Sequence, residues 1–363
     1  MRLDRREIRA VERVLRSGQL RAGPVVEEFE ARFAHAVGAR HAVAVNSGTA
    51  ALYLAYRELL SPGDEIIVPD FTFVATASMA VAVGARPVFA DVDPETFTLD
   101  PADVERRITR RTRALAPVHL YGNPADVTRL LRIARRHNLK IVWDAAQAHG
   151  AKFRGRDVGS FPDVVCYSFY PSKNLTTGEG GMLATSNSAL ARKFHLARSH
   201  GEDRRYHHAS LGFNFRLTDI CAALGLEQAR KLAAALRRRR RNAALLTRGL
   251  SGIPGISLPR PRQGMTHAYN LFTVRLDPTI LGISRDTFQK QLARRGVESA
   301  VHYPLPLHRQ PIFRGHVGDD DFPVSTLLAK TVLSIPVHPD LTRRDILRIL
   351  QAMREAASVK TGM

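Results

Sequence analysis

The sequence predicts an α/β protein, a mostly parallel sheet covered by helices on both faces, followed by a smaller C-terminal α+β domain. Three observations predict it. Short apolar runs alternate with helical patterns from Ala42 to Trp143, the order that builds parallel strands joined by crossover helices. The polar, chemically capable residues cluster at the C-terminal ends of those runs, where ligands bind in such sheets. Finally, Gly252 to Gly264 is rich in Pro and Gly and marks a boundary. The chain has 363 residues, enough for a large domain at 1–250, including an N-terminal helical segment, and a small one at 251–363.

Residues 5–36 read as helical, broken near Ser17-Gly18 and Gly23-Pro24. Ala42 to Val45 is a strand, and Asn46-Ser47-Gly48-Thr49-Ala50-Ala51 opens a helix to Leu60. After the turn Pro62-Gly63-Asp64 come a strand (Glu65 to Val68), a helix (Thr72 to Val83), a strand (Pro87 to Val92) and a helix (Pro101 to Ile108). A strand from Ala114 to His119 precedes a helix from Pro124 to His137, with Pro at its first turn. Leu139 to Trp143, Val164 to Phe169 and Gly181 to Thr185 are further strands. A long helix runs from Thr218 to Arg241 and on to Leu250. Beyond the boundary lie a strand (Ala268 to Leu276), a helix (Arg285 to Arg295), a strand (Val297 to Tyr303) and a closing helix (Asp340 to Ala357).

The formal net charge is +20, but 46 of the 54 basic residues are arginines spread along the chain, a compositional bias and not a dedicated nucleic-acid footprint. The dense run Arg237 to Arg241 reads as a solvated helix face. No apolar run is long enough to span a membrane, and the N-terminus is charged from Arg2 onward, which predicts a cytoplasmic protein without a signal peptide. Cys166 and Cys221 read as small buried hydrophobes in a reducing compartment, and no histidine or cysteine spacing suggests a metal site.

The chemistry concentrates between Ile141 and Met182. One apolar run ends in Asp144; another ends in the turn Tyr170-Pro171-Ser172-Lys173, and Gly178, Gly180 and Gly181 let the backbone reverse into the next strand. A carboxylate and an amine on neighbouring strand ends are what pyridoxal phosphate (PLP) chemistry needs: a lysine for the cofactor's aldehyde and an acid for its pyridinium nitrogen. Ser47-Gly48-Thr49, between a strand and a helix, offers free N–H groups and a helix dipole to an anion, although the same triplet also caps ordinary helices.

These stretches carry a resemblance. Asp144-Ala145-Ala146-Gln147-Ala148-His149-Gly150 and Ser168-Phe169-Tyr170-Pro171-Ser172-Lys173-Asn174 resemble motifs of the DegT/DnrJ/EryC1/StrS family, fold-type I PLP enzymes that aminate nucleotide-linked keto-sugars. The resemblance implies that Lys173 is the Schiff-base lysine and proton shuttle and that Asp144 pairs with the pyridine nitrogen. It implies that Gln147 donates to the ring's phenolic oxygen and that Phe73 stacks on the ring. Ser47, Gly48, Thr49 and Ser168 then hold the phosphate. Asn214, in Gly212-Phe213-Asn214-Phe215-Arg216, would reach the phosphate of a neighbouring subunit, which requires a homodimer. Tyr121, His302, Tyr303 and His308 are candidates for the sugar end, and His149 reads as a core histidine. The implied activity is ping-pong transfer from an amino acid, by family habit glutamate, to the keto-sugar. Thr176-Thr177-Gly178-Glu179-Gly180-Gly181 resembles C4-aminating members more than C3-aminating ones. A lyase or dehydratase on the same fold, or a PLP-binding regulator without turnover, stands as the alternative.

Overall fold

The computed structural model describes residues 3–313 and 318–358. Seven strands form the main sheet in the order His41–Val45, Gly181–Thr185, Val164–Ser168, Lys140–Asp144, Thr112–Leu115, Glu65–Pro69, Arg86–Ala90. Only Gly181–Thr185 runs antiparallel to its neighbours; the other pairings are parallel, as the alternation of runs requires. Pro87 costs the sheet little because Arg86–Ala90 is an edge strand.

Side chains alternate across a strand, so each buried strand feeds two cores. Ile141 and Trp143 join a cluster with Phe33, Leu130 and Tyr167; Val142 joins the opposite one, with Leu54, Tyr56 and Phe194. Asp144 therefore falls on the Val142 side, and its register partner Cys166 lies on the same side. The helix Gly48–Leu59 covers that face, with Leu52, Leu54, Ala55 and Tyr56 buried against it.

The N-terminal helices are Arg5–Ser17 and Pro24–Val37, separated where Gly18 takes the left-handed conformation (φ 71°) that ends the first. The long helix Asp219–Leu250 starts on Thr218, whose hydroxyl accepts from the Cys221 N–H. Beyond it a second sheet, Ile256–Ser257, Phe272–Leu276 and Val332–Ile335, packs a third core around Phe288, Leu292 and Met353.

Several sequence expectations need correction. Val297 to Tyr303 is not a strand: Ala300 alone bridges to Ser334, and the His302 carbonyl is taken by the Tyr121 hydroxyl instead of a ladder partner. The third strand is Val332–Ile335, which leaves the helix Pro323–Thr331 with no turn residue between to announce it. The helix expected from Pro124 is Val127–Arg136, because Asp126 caps it by accepting from Arg129 N–H at 3.1 Å, leaving Pro124 outside. Helices Ser188–Arg198 and Pro323–Thr331 were not read from the sequence. Cys166 is buried, but Cys221 is only half-buried. Nor is the arginine run uniformly solvated: Arg239 is 6% exposed, and with Arg240 it spends its donors on backbone carbonyls.

Candidate active site

At the C-terminal edge of the sheet the strand ends surround a cavity of about 540 Å³. Ser47, Gly48, Thr49, Phe73, Asp144, Gln147, Ser168, Lys173, His302 and Tyr303 all line it. A larger cavity, about 790 Å³, lies between the helix Val127–Arg136 and the turn around Arg154, and holds none of these residues.

One end of the cavity is bare backbone. Ser47 caps the helix Gly48–Leu59, its Oγ accepting from Ala50 N–H at 3.1 Å, so the N–H groups of the first turn open toward the space that Gly48 and Thr49 line. Gly48 is required there: a Cβ would stand 2.7 Å from the Ser168 Cβ. Gly181 is equally confined, since a Cβ would meet the Ser47 carbonyl oxygen at 2.3 Å. The contact of these residues brings a helix N-terminus and the Ser168 hydroxyl to one place, the chemistry of an anion cradle.

The other end is acidic and deeply buried. Asp144 is 5% exposed; Oδ1 accepts from Ala146 N–H at 3.0 Å and Oδ2 from Thr76 Oγ1 at 2.9 Å. Burial raises its carboxyl above the usual range, while Ala146, Thr76 and the Lys173 ammonium oppose the rise. Lys173 is affected in the opposite sense. Burial pulls its ammonium below the usual lysine range and Asp144 pushes back, so the neutral amine is more accessible than in water. The two side chains thus share one cavity and feel each other's charge.

Over this floor lies a hydrogen-bonded roof. Gln147 Oε1 accepts from Tyr121 N–H at 2.7 Å, and its Nε2 donates to the Tyr303 hydroxyl at 3.0 Å. Tyr121 sits in the left-handed region (φ 59°), and its hydroxyl donates to the His302 carbonyl. The Phe73 ring, 55% exposed, lies 6.1 Å from the Tyr303 ring. Burial pulls the imidazole of His302 below its ordinary range, with the Lys173 charge adding to it, and raises the Tyr303 phenol above its own.

Three expected site residues are not in the cavity. Tyr121 is buried behind it and bonds two residues that line it, Gln147 and His302. His308 is committed elsewhere: buried against Phe322, it bonds Asp70 through both its N–H (2.8 Å) and Nδ1 (2.7 Å). Asn214 is exposed, bridged to Ser199, and does not line the cavity of its own chain. His149 is core, packed on Tyr167 and Phe169, with burial pushing its pKa down to about 3. Two residues the sequence did not flag are Thr76, on Asp144, and Asn270, whose Nδ2 donates to the Ser172 carbonyl at 2.9 Å. A threonine inside the apolar stretch Val74 to Met79 was the only available signal for the first; the second had none.

The residues present fit PLP: a bare helix start for its phosphate, a buried acid, a lysine of lowered pKa and an exposed aromatic ring share one space of suitable size. Residues 1–354 match the DegT/DnrJ/EryC1/StrS aminotransferase family. The chain belongs to that family. The DegT/DnrJ/EryC1/StrS proteins are PLP-dependent aminotransferases, and this chain is a sugar aminotransferase among them. It is 43% identical to the dTDP-3-amino-3,4,6-trideoxy-alpha-D-glucose transaminase of Streptomyces venezuelae, covering 96% of this chain and 91% of that protein. The UDP-N-acetyl-3-dehydro-alpha-D-glucosamine 3-aminotransferase of Acidithiobacillus ferrooxidans is 42% identical, covering 90% and 87%. Among solved structures, S. venezuelae DesV in complex with a ketimine intermediate superposes with a TM-score of 0.94 at 42% identity, covering 98% of this chain and 95% of that one. Among the described residues no helix is long and apolar enough to cross a membrane, and no cluster of side chains could hold a metal ion.

Proposed function

We propose that this protein moves an amino group from an amino acid, glutamate by the resemblance, to a nucleotide-linked keto-sugar in a ping-pong cycle with PLP. The observation that carries this reading is the placement of Lys173 and Asp144 in one cavity with the bare start of the helix Gly48–Leu59. When bound, PLP supplies the electron sink that stabilises negative charge at the carbon giving up its proton. Ser47, Gly48, Thr49 and Ser168 hold its phosphate, and Phe73 lies against its ring. Asp144 keeps the ring nitrogen protonated, with Thr76 and the Ala146 N–H holding the carboxylate in place. Lys173 Nζ, whose neutral form burial favours, takes the proton from the donor's α-carbon and later delivers one to the sugar carbon that receives nitrogen. Gln147 reaches the ring's phenolic oxygen, and His302 and Tyr303 face the sugar.

The exposed position of Asn214 supports a homodimer in which it completes the phosphate site of the second copy. Residues 1–250 then form the cofactor-binding domain and 251–363 the smaller one, in a cytoplasmic enzyme. The carbon aminated is where two lines of support part. The stretch from Thr176 to Gly181 resembles C4-aminating members, whereas the two relatives above are named for nitrogen at C3.

The test is amino transfer, read by mass, from glutamate to a panel of nucleotide-linked 3-keto and 4-keto sugars. The protein should show the visible absorbance of the bound cofactor, and glutamate alone should convert it to the amine form, which a lyase has no reason to make. Lys173→Ala should lose turnover; retained activity in that variant overturns the reading.

A further inference from the structure

We propose that Asn270 is a positioning residue for Lys173, orienting the peptide that bears the reactive amine from across the domain boundary, with Arg239 anchoring it there. The inference rests on the reading of Lys173 as that amine.

The peptide group between Ser172 and Lys173 is planar, so fixing its two polar atoms fixes the plane and with it the position of the Lys173 Cα from which the side chain leaves. Both atoms are held. The Lys173 N–H donates to the Tyr170 carbonyl at 2.9 Å, within the turn. The Ser172 carbonyl accepts from Asn270 Nδ2 at 2.9 Å, from a residue 98 positions away. The following residue is tied too, Asn174 Nδ2 donating to the Ala268 carbonyl at 3.1 Å. Lys173 is thus flanked by two side-chain ties to the segment 268–270, while its own side chain stays free for the cavity.

That segment is itself anchored. Arg239 Nη1 donates to the carbonyls of Tyr269 at 3.2 Å and Asn270 at 3.4 Å, and Arg240 Nε to that of His267 at 3.2 Å. Burying a guanidinium is costly unless its donors are satisfied. Here Nη1 of Arg239 is met by the backbone that carries Asn270, which ties the long helix to the lysine turn through one residue. Asn270 is 5% exposed, at the wall of the cavity.

Hydrogen exchange and steady-state kinetics on the intact enzyme test this. Asn270→Leu keeps the shape and removes the donor; Asn270→Gln keeps the donor. We expect exchange in a peptide covering 170–174 to quicken about tenfold in Asn270→Leu, with the strands Lys140–Asp144 and Val164–Ser168 unchanged. Turnover should fall about 10- to 100-fold, as small misplacements of a reacting group do, with the KM for the amino donor within about twofold of wild type. Asn270→Gln should recover most of both. Unchanged exchange at 170–174, uniform quickening across all peptides, or full turnover despite local quickening overturns the proposal. If Asn270→Leu does not fold, Asn174→Leu removes the second tie and is read the same way. Failure of the underlying reading looks different: Lys173→Ala would keep its turnover while the exchange result stood.

Discussion

The floor and the roof of the cavity are built by different means. The floor, Asp144, Ser168 and the start of the helix Gly48–Leu59, comes from neighbouring elements of one sheet and the helix on its face. Its side chains are set by strand register and by a contact so close that Gly48 admits no Cβ. The roof, Tyr303 and His302, hangs from Gln147 and Tyr121 by single hydrogen bonds, each between segments more than 150 positions apart. A floor of this kind suits a resident cofactor whose chemistry is always the same. A roof held by a few replaceable bonds suits the part of the reaction that must admit two substrates in turn.

If that contrast holds, floor substitutions should act on turnover and roof substitutions on substrate KM. The largest effect belongs to Asp144→Ala, which should lower kcat by about 10²- to 10⁴-fold, since losing one member of a buried charge pair costs about 3–5 kcal/mol. An equal loss from Tyr303→Phe would break the distinction. Next comes Thr76→Val, which keeps the shape but removes the hydroxyl at 2.9 Å from Asp144. A bond to a charged group contributes about 1.5–3 kcal/mol, so kcat should drop about 10- to 100-fold with the KM values kept. Tyr303→Phe removes one neutral bond, to Gln147, and should raise the keto-sugar KM about fivefold while glutamate alone converts the cofactor at the wild-type rate.

The smallest effect concerns three buried histidines. His119, His149 and His267 each have a pKa pushed down to about 3 by burial, against 6.5 unperturbed. The unfolded chain therefore binds protons there that the folded chain does not, and stability falls as pH drops below 6.5 toward 3. Thermal unfolding followed across that window should shift to lower temperature with acid. His149→Phe, packed between Tyr167 and Phe169, should make the dependence shallower by one proton. An unchanged slope would show that this imidazole already titrates normally in the fold.

Lys173 marks the limit of what local sequence conveys. The strands of the main sheet, the helix start at Ser47 and the turn at Tyr170–Lys173 were legible because each depends on contacts within a few residues. The strand at Val332–Ile335 and the helix before it were not legible, because no turn residue separates them. His308 shows the opposite failure: an imidazole in a promising motif is buried on Asp70, 238 positions away, and nothing nearby in the chain reveals it.

By itself, then, the sequence determined the doubly covered sheet, the residues at its strand ends and the type of chemistry they can do. Apolar periodicity and residue type are local properties, and strand ends gather wherever a parallel sheet forms. Only the tertiary structure decided which polar groups support that chemistry. Thr76 reaches Asp144, Asn270 reaches Ser172 and Arg239 reaches Asn270 because separate segments pack against one another. Such partnerships satisfy buried polar groups by proximity in space, and distance along the chain carries no record of them.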